Sequence, residues 1–435
     1  MDAGLRRRPG FSVLVGPFRT RLAVIGLLAL AGRLLYILVI ARAPVGVGGD
    51  AGFYHSAANL IAHGRFYYRE IFGHAYVTAE HPPLYPLLLS GVALLGGVHV
   101  LAQRVVGCVV GAVSVILMGL LGRRVAGERA GALAATIAAL YPPWWTIDGS
   151  LMSEPLLVLA TLAALMIGFR LLRAPSAWLA GALGCVVALG ALSHPAALLL
   201  IALVAWPAAW GSEAGGRLGR VSAATVAVLL VLAPWLMRNA VVFHRLTMAT
   251  NSNTVIAGAN CHSTYYGHDI GWWRRDCWAH ARTRAQQLQG DAGTAPALRY
   301  AGSHITRLPL VAAVRILRTL NLFQPLRQGN AELRRRWVDV AGLLAYYPLL
   351  LLAGLRLTRR RAGPRLRGER RLLLAPVAMV VTVSALGWGI GRFRAPADVS
   401  LIVLAAWGAS SRWSRCARHP LRRSTAQEIT ASSRS

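Results

Sequence analysis

The chain has 435 residues, of which 55% are hydrophobic and only 14% charged, with a mean hydropathy of +0.49. That is more apolar material than a soluble core can bury, which excludes an ordinary soluble globular protein. A formal charge of +31 would suit a nucleic-acid partner, but all 47 basic residues are arginine and they cluster between alternate apolar runs, as cytoplasmic loops of a membrane protein do.

Arg6-Arg7-Arg8, Arg19 and Arg21 precede the first apolar run, Leu22–Ile40. A charged start before an apolar run resembles a signal peptide. This run reaches the ~20 residues needed to span a bilayer and has no small-residue cleavage site, so it reads as a retained anchor. Arg33 falls inside it, where a guanidinium must snorkel or find a partner. Further spans are expected at Leu101–Leu121, Ala130–Tyr141, Pro155–Leu171, Trp178–Leu192, Ala196–Trp210, Val221–Met237, Val338–Leu355, Leu372–Ile390 and Val399–Ala409. The loops with Arg123, Arg124 and Arg129, with Arg170 and Arg173, with Arg217 and Arg220, and from Arg356 to Arg371 are then cytoplasmic. An even number of crossings returns the basic tail from Arg412 to the same side.

The expected architecture is an all-α polytopic bundle of about ten transmembrane helices. A basic N-terminus (1–21) leads into a membrane module (22–237) that carries an outer loop (42–100). A second outer loop (238–336) with its interfacial helix, the C-terminal membrane helices (337–411) and a basic tail (412–435) follow. Leu84–Val98, after Pro82-Pro83, and Ile305–Leu322, interrupted by Arg307, Arg315 and Arg318, are read as helices lying in the outer interface. None of the five cysteines has metal-ligand spacing. Cys261 and Cys277 both fall in the second outer loop, on the oxidising side, and are expected to form a disulfide.

The unusual chemistry sits in the outer segments. Gly48-Gly49-Asp50 opens a helical stretch, Ala51–His63, closed by Gly64. Asp50 is either the N-cap of that helix or a general base, and Tyr54, four residues on, shares its face. Glu80-His81-Pro82-Pro83 places an acid and an imidazole before a rigid turn; it serves either to redirect the chain or to extend the site. Asp148 and Glu154 flank the aromatic turn Tyr141-Pro142-Pro143-Trp144-Trp145, with Glu154 capping its span or reaching the site. His194 stands at a helix end as a packing or capping residue. Arg392 and Arg394, in the last outer turn, sit on the side where arginine is disfavoured, which points to an anionic partner, with Arg392 preferred. Arg104, Arg238 and Asn239 lie at a similar depth.

In this order and with this common sidedness, Asp50 with Tyr54, His81-Pro82-Pro83-Leu84-Tyr85-Pro86, Arg104, Ser153-Glu154, Pro234-Trp235 with Arg238-Asn239, and Arg392-Phe393-Arg394-Ala395-Pro396 resemble the GT-C glycosyltransferases. The likeness is to the aminoarabinose-transferase and protein-mannosyltransferase group, glycosyltransferase family 39-like. It implies a catalytic acid in the first outer loop, Asp50 assisted by Glu80 or His81. It also implies arginines that hold the phosphate of a polyprenyl-phosphate sugar, and a donor and acceptor site including Tyr54, Tyr85, Arg104, Glu154, His194, Arg238, Asn239, Arg392 and Arg394. The expected reaction is inverting transfer of a hexose or pentose, on the extracytoplasmic face of the cell membrane, to a hydroxyl or amine of a lipid, glycan or protein acceptor. No nucleic acid is involved. No cofactor is called for, although the family pattern leaves a divalent metal open, because Ala51 stands where many relatives carry a second acid. The rival reading is a transporter or flippase of lipid-linked sugars, which would place polar groups at the midplane and show two-half symmetry.

Overall fold

The computed structural model describes residues 17–41, 49–71, 74–211, 216–279, 294–327, 335–358 and 364–416. Arg6-Arg7-Arg8, Gly48, Arg360 and Arg422 lie outside the described residues.

Each predicted span coincides with a helical segment. Helix α1 (Pro17–Leu35) runs on through a π-helical turn to Ile40, and α4 (Val100–Ala126), α5 (Glu128–Leu140), α7 (Glu154–Arg173) and α8 (Ala177–Ala191) follow the expected positions. The sixth span breaks into a 3-10 turn at Pro195–Leu198, a π turn at Ile201–Ala205 and the short α9 (Trp206–Trp210). Proline at the start and three changes of helical pitch account for its short look in sequence. Helix α10 (Arg217–Phe243) outruns its predicted end, so Arg238 and Asn239 lie in its last turns and not in a loop. The chain is a multi-pass membrane protein: five helices, among them α1, α4, α7 and α10, are long and apolar enough to cross a bilayer by length and composition.

Small side chains let the bundle close. Ala134, Ala135, Ala138, Ala188, Ala205, Ala208 and Ala209 are buried at helix contacts, where their size allows backbones to approach. Arg33 has found its partner in the same core: its Nε donates to Asp148 Oδ2 at 2.6 Å, with both side chains almost fully buried. Asp148 ends α6 (Pro142–Asp148), which lies against α4. A Cβ on Gly107 would sit 2.1 Å from the Asp148 carbonyl, and one on Gly111 2.0 Å from its carboxylate, so both must be glycine for the pair to exist.

Between α1 and α4 the chain forms α2 (Asp50–Ala62), a hairpin of β1 (Tyr68–Ile71) and β2 (His74–Val77), and α3 (Leu84–Leu94). The hairpin is a small addition to a bundle that is all-α as expected. Its strands pair antiparallel from Tyr68 opposite Val77 to Ile71 opposite His74. Four-residue strands leave too little periodicity to be seen in sequence. Helix α3 keeps Leu87, Leu88, Leu94 and Leu95 exposed while Tyr85, Leu89 and Ala93 pack inward, as befits an interfacial helix.

After α10 come α11 (Ser252–Ala259), α12 (His262–Tyr265), α13 (Arg275–Ala279), α14 (Thr294–Ser303) and α15 (Leu308–Thr319). Helix α15 falls within the predicted interfacial segment Ile305–Leu322, and the structure shows where its arginines go. Arg315 and Arg318 are buried and donate to carbonyls, Arg315 to Ala259 at 2.6 Å and Arg318 to Ile270 at 2.6 Å, while Leu310 and Leu317 stay exposed. Cys261 and Cys277 form a disulfide, with Cα atoms 5.8 Å apart. Cys261→Ser is expected to destabilise the protein by ~3 kcal/mol, the loop-closure value for a ring of this size. A lowered thermal midpoint with unchanged membrane insertion would bear this out.

The last three helices are α16 (Arg336–Leu357), α17 (Pro364–Leu386) and α18 (Ala395–Cys416); α18 packs on α16 and α5 and returns the chain through the core.

Candidate active site

Helix α2 starts at Asp50, but its N-cap is Gly49 and no side chain caps it. The N-cap reading of Asp50 is therefore set aside, and its carboxylate is spent on tertiary partners. Arg392 lies in the 3-10 turn Gly391–Arg394 between α17 and α18. Its Nη2 donates to Asp50 Oδ2 at 2.6 Å, while its Nε lies 3.1 Å from Oε1 of Glu154, the first residue of α7. One guanidinium thus joins two carboxylates from segments about a hundred residues apart in sequence, and Met152 Sδ lies 3.4 Å from its third nitrogen. Burial acts to raise the Asp50 pKa, but the charge of Arg392 and the hydrogen bonds from His81 and Arg392 outweigh it and hold the carboxyl far below the usual carboxylate range.

His81 completes this group. Its Nε2 lies 3.5 Å from Asp50 Oδ1, and its Nδ1 lies 3.2 Å from the Asn251 amide nitrogen, so an amide that donates there leaves the Nε2 proton for Asp50. The ring is fixed between Phe53 and Tyr54, at centroid distances of 5.0 and 4.9 Å, and Tyr85 meets Tyr54 edge-on at 5.0 Å. Tyr54 is buried, and its hydroxyl donates to Ser153 Oγ at 3.2 Å. It therefore supports the imidazole and ties α2 to the start of α7. Burial, followed by the negative charge of Asp50, pushes its phenol pKa well up, so it stays a donor. The Tyr67 hydroxyl donates to the carbonyls of both His81 and Pro82, which locks the turn that aims the imidazole.

The remaining expected residues divide. Glu80 is paired with Arg69 of the hairpin, and Arg69 also feels the charge of Asp50. Arg238 donates to the Thr78 carbonyl and to Asn239 Oδ1, both at 2.8 Å, over the rings of Tyr67, Trp235 and Phe243. Asn239 is buried and donates to the Thr247 carbonyl. These two hold the hairpin against α10. Arg104 donates to the carbonyls of Gly149 and Ala41, which fastens α4 to its neighbours. Arg394 is turned into the bundle, buried against Asp398 at 2.9 Å, the Tyr141 hydroxyl and the Tyr346 ring. From one 3-10 turn the two arginines thus reach different carboxylates.

His194 accepts from the Ala196 amide and caps the turn that follows, with its ring against Phe393. Burial, and then the positive charge of Arg392, push its pKa down to about 4. Because the unfolded imidazole titrates near ~6.5, the unfolded state binds the extra proton first as pH falls. Stability is expected to decline between pH 6.5 and 4, and a His194→Asn variant should show a flatter thermal-midpoint profile over that window.

Sequence reasoning missed Arg69, Asn251 and Met152. Arg69 sits in the hairpin that periodicity did not reveal, and nothing local marks Asn251 as a partner of His81. Arg392 already stands between Asp50 and Glu154, where a shared metal would neutralise both, and among the described residues no group of three His, Cys, Asp or Glu gathers. Arg392 and Arg394 both border a groove of mixed lining, apolar at Pro142, Pro143, Val338 and Leu343 and polar at Asn321 and Asp339.

Residues 80–237 match the family model described as dolichyl-phosphate-mannose-protein mannosyltransferase. That interval starts at Glu80-His81 and ends just before Arg238. No curated protein matches the chain by sequence. Among solved structures, the archaeal oligosaccharyltransferase AglB from Archaeoglobus fulgidus, in complex with an inhibitory peptide and a dolichol-phosphate, superposes with a TM-score of 0.50 and 14% identity over 92% of this chain and 50% of that one. ArnT from Cupriavidus metallidurans, bound to undecaprenyl phosphate, gives 0.44 and 14% over 90% and 77%. The chain spans about half the length of the oligosaccharyltransferase it matches. The fold resembles that of the GT-C glycosyltransferases, as the sequence motifs do.

Proposed function

We propose that this protein is an integral membrane glycosyltransferase that takes a sugar from a polyprenyl-phosphate carrier and passes it to an extracytoplasmic acceptor. The observation that carries this reading is Arg392, a guanidinium shared by Asp50 and Glu154 and bordering a groove with both apolar and polar lining. An amphiphile with an anionic head and an isoprenoid body suits that combination. The family match, and the dolichol-phosphate bound to the oligosaccharyltransferase, support a lipid-linked donor.

The proposed chemistry is a single displacement. The oxygen or nitrogen of the acceptor attacks the anomeric carbon, the bond from that carbon to the phosphate oxygen breaks, and the acceptor proton passes to Asp50. The departing lipid phosphate takes the bonding electron pair and is stabilised by Arg392, and configuration at the sugar inverts. A carboxylate held far below its usual range is a poor base. The donor phosphate competes for Arg392, which loosens the guanidinium from Asp50 and raises its basicity when there is a sugar to transfer. His81, fixed by Asn251 and the aromatic shell, keeps the carboxylate oriented through this exchange.

The test is transfer by the purified protein in lipid nanodiscs, from polyprenyl-phosphate hexoses and pentoses, with no nucleotide present. Transfer is expected under those conditions, and chelators are expected to leave the rate unchanged. Use of a nucleotide sugar without a lipid carrier would overturn the reading.

A further inference from the structure

We infer that the partly buried rings of Trp273, Trp388 and Phe393 form an aromatic track that docks a carbohydrate acceptor beside Arg392. This inference rests on the glycosyltransferase reading and names the class of its second substrate.

The rings come from separate places in the chain. Trp273 follows the turn at Gly271, Trp388 lies in the link after α17, and Phe393 adjoins Arg392. They nevertheless form a continuous row: Trp273 to Trp388 at 6.3 Å between centroids, Trp388 to Phe393 at 5.3 Å, and Phe393 to His194 at 6.1 Å. The row ends at the reaction centre, because the Arg392 guanidinium carbon lies 5.5 Å from the Phe393 ring. Each of the three rings keeps part of its surface open.

The track is held in place by its supports. A Cβ on Gly258 would sit 2.1 Å from the Trp273 indole nitrogen, which donates to the Thr254 carbonyl at 3.0 Å. The link carrying Trp388 is pinned where the Gly389 amide donates to the Gly271 carbonyl at 3.1 Å.

Chemistry selects a sugar as the occupant. A sugar ring presents a face of C–H groups that packs on an aromatic ring, while its hydroxyls at the rim need donors and acceptors. Next to Trp273, Arg274 pairs with Asp269 at 3.0 Å and with Asp276 at 3.0 Å, and the Arg274 and Asp276 side chains are about half exposed. Such groups suit hydroxyls and disfavour an isoprenoid chain. The acid and the phosphate-binding arginine therefore lie at one end of the track, and a water-facing polar edge lies at the other.

The experiment is equilibrium dialysis of the purified full-length protein against a fluorescently labelled oligosaccharide pool, released by mild acid from the cell envelope of the source cells. Wild type and Asp50→Asn should both bind the pool, and periodate treatment should abolish binding. Trp388→Ala and Trp273→Ala should weaken binding at least tenfold and raise the acceptor KM by a similar factor with little change in kcat. Trp388→Phe should recover part of the affinity, which separates loss of stacking from misfolding. Absence of binding by wild type, unchanged affinity in both alanine variants, or binding that survives periodate and is carried by a peptide fraction would overturn the track. Glycan binding without transfer from any lipid carrier would instead overturn the glycosyltransferase reading and leave the track standing.

Discussion

Asp50→Asn is expected to lower sugar transfer by ~10²–10⁴-fold, the usual loss when a general base is removed, in a protein that still folds and inserts. The substitution keeps the shape of the side chain and an oxygen for Arg392, and the supporting shell of Tyr54, Tyr85 and Tyr67 does not depend on the charge at position 50. Glu154 remains to neutralise Arg392. Donor binding should therefore persist or tighten, because the phosphate no longer competes with a second carboxylate for the guanidinium. The measurement is single-turnover transfer together with donor affinity on the same preparation. Turnover near that of the wild type would remove Asp50 from the mechanism.

Arg392→Ala is expected to reduce both donor affinity and rate, and by more than Arg394→Ala reduces donor affinity. Loss of a charge-assisted bond to phosphate removes directional binding, and Asp50 and Glu154 are left facing one another without a cation. Their mutual repulsion should raise the Asp50 pKa and shift the acid limb of the pH–rate profile upward. Arg392→Lys should restore only part of the activity, since an ammonium cannot bond Asp50, Glu154 and a phosphate through a planar fork. Arg394→Ala should act differently. It leaves Asp398 buried without its partner, and removing one member of a buried pair destabilises by ~3–5 kcal/mol, so its signature is a lowered thermal midpoint. Full donor affinity in Arg392→Ala would end the assignment.

The helices were legible because their signal is hydropathy over a long window, and arginine clusters punctuate alternate loops between them. Asp50, Glu154 and Arg392 were legible as chemistry out of place, charges at the mouths of apolar helices. Their union was not, since nothing local tells one arginine that it will meet carboxylates near positions 50 and 154. Arg392 and Arg394 differ by two residues and carry the same side chain, yet one faces the site and the other the core. That outcome is decided by a 3-10 turn and by Asp398 one helical turn on. The carbonyl partners of Arg315 and Arg318 were hidden for a related reason. A guanidinium in an apolar helix suggests solvent until carbonyls from a distant segment are there to receive it.

The Arg33–Asp148 pair bears on how the chain is made. Its members are 115 residues apart, and at a synthesis rate of roughly 5–20 residues per second the first helix waits on the order of ten seconds for its counter-ion. Throughout that interval the nascent membrane segment holds a lone guanidinium, which must stay at the lipid boundary or within the insertion machinery. Helix α1 is thus expected to reach its final depth only after α4, α5 and α6 have been delivered.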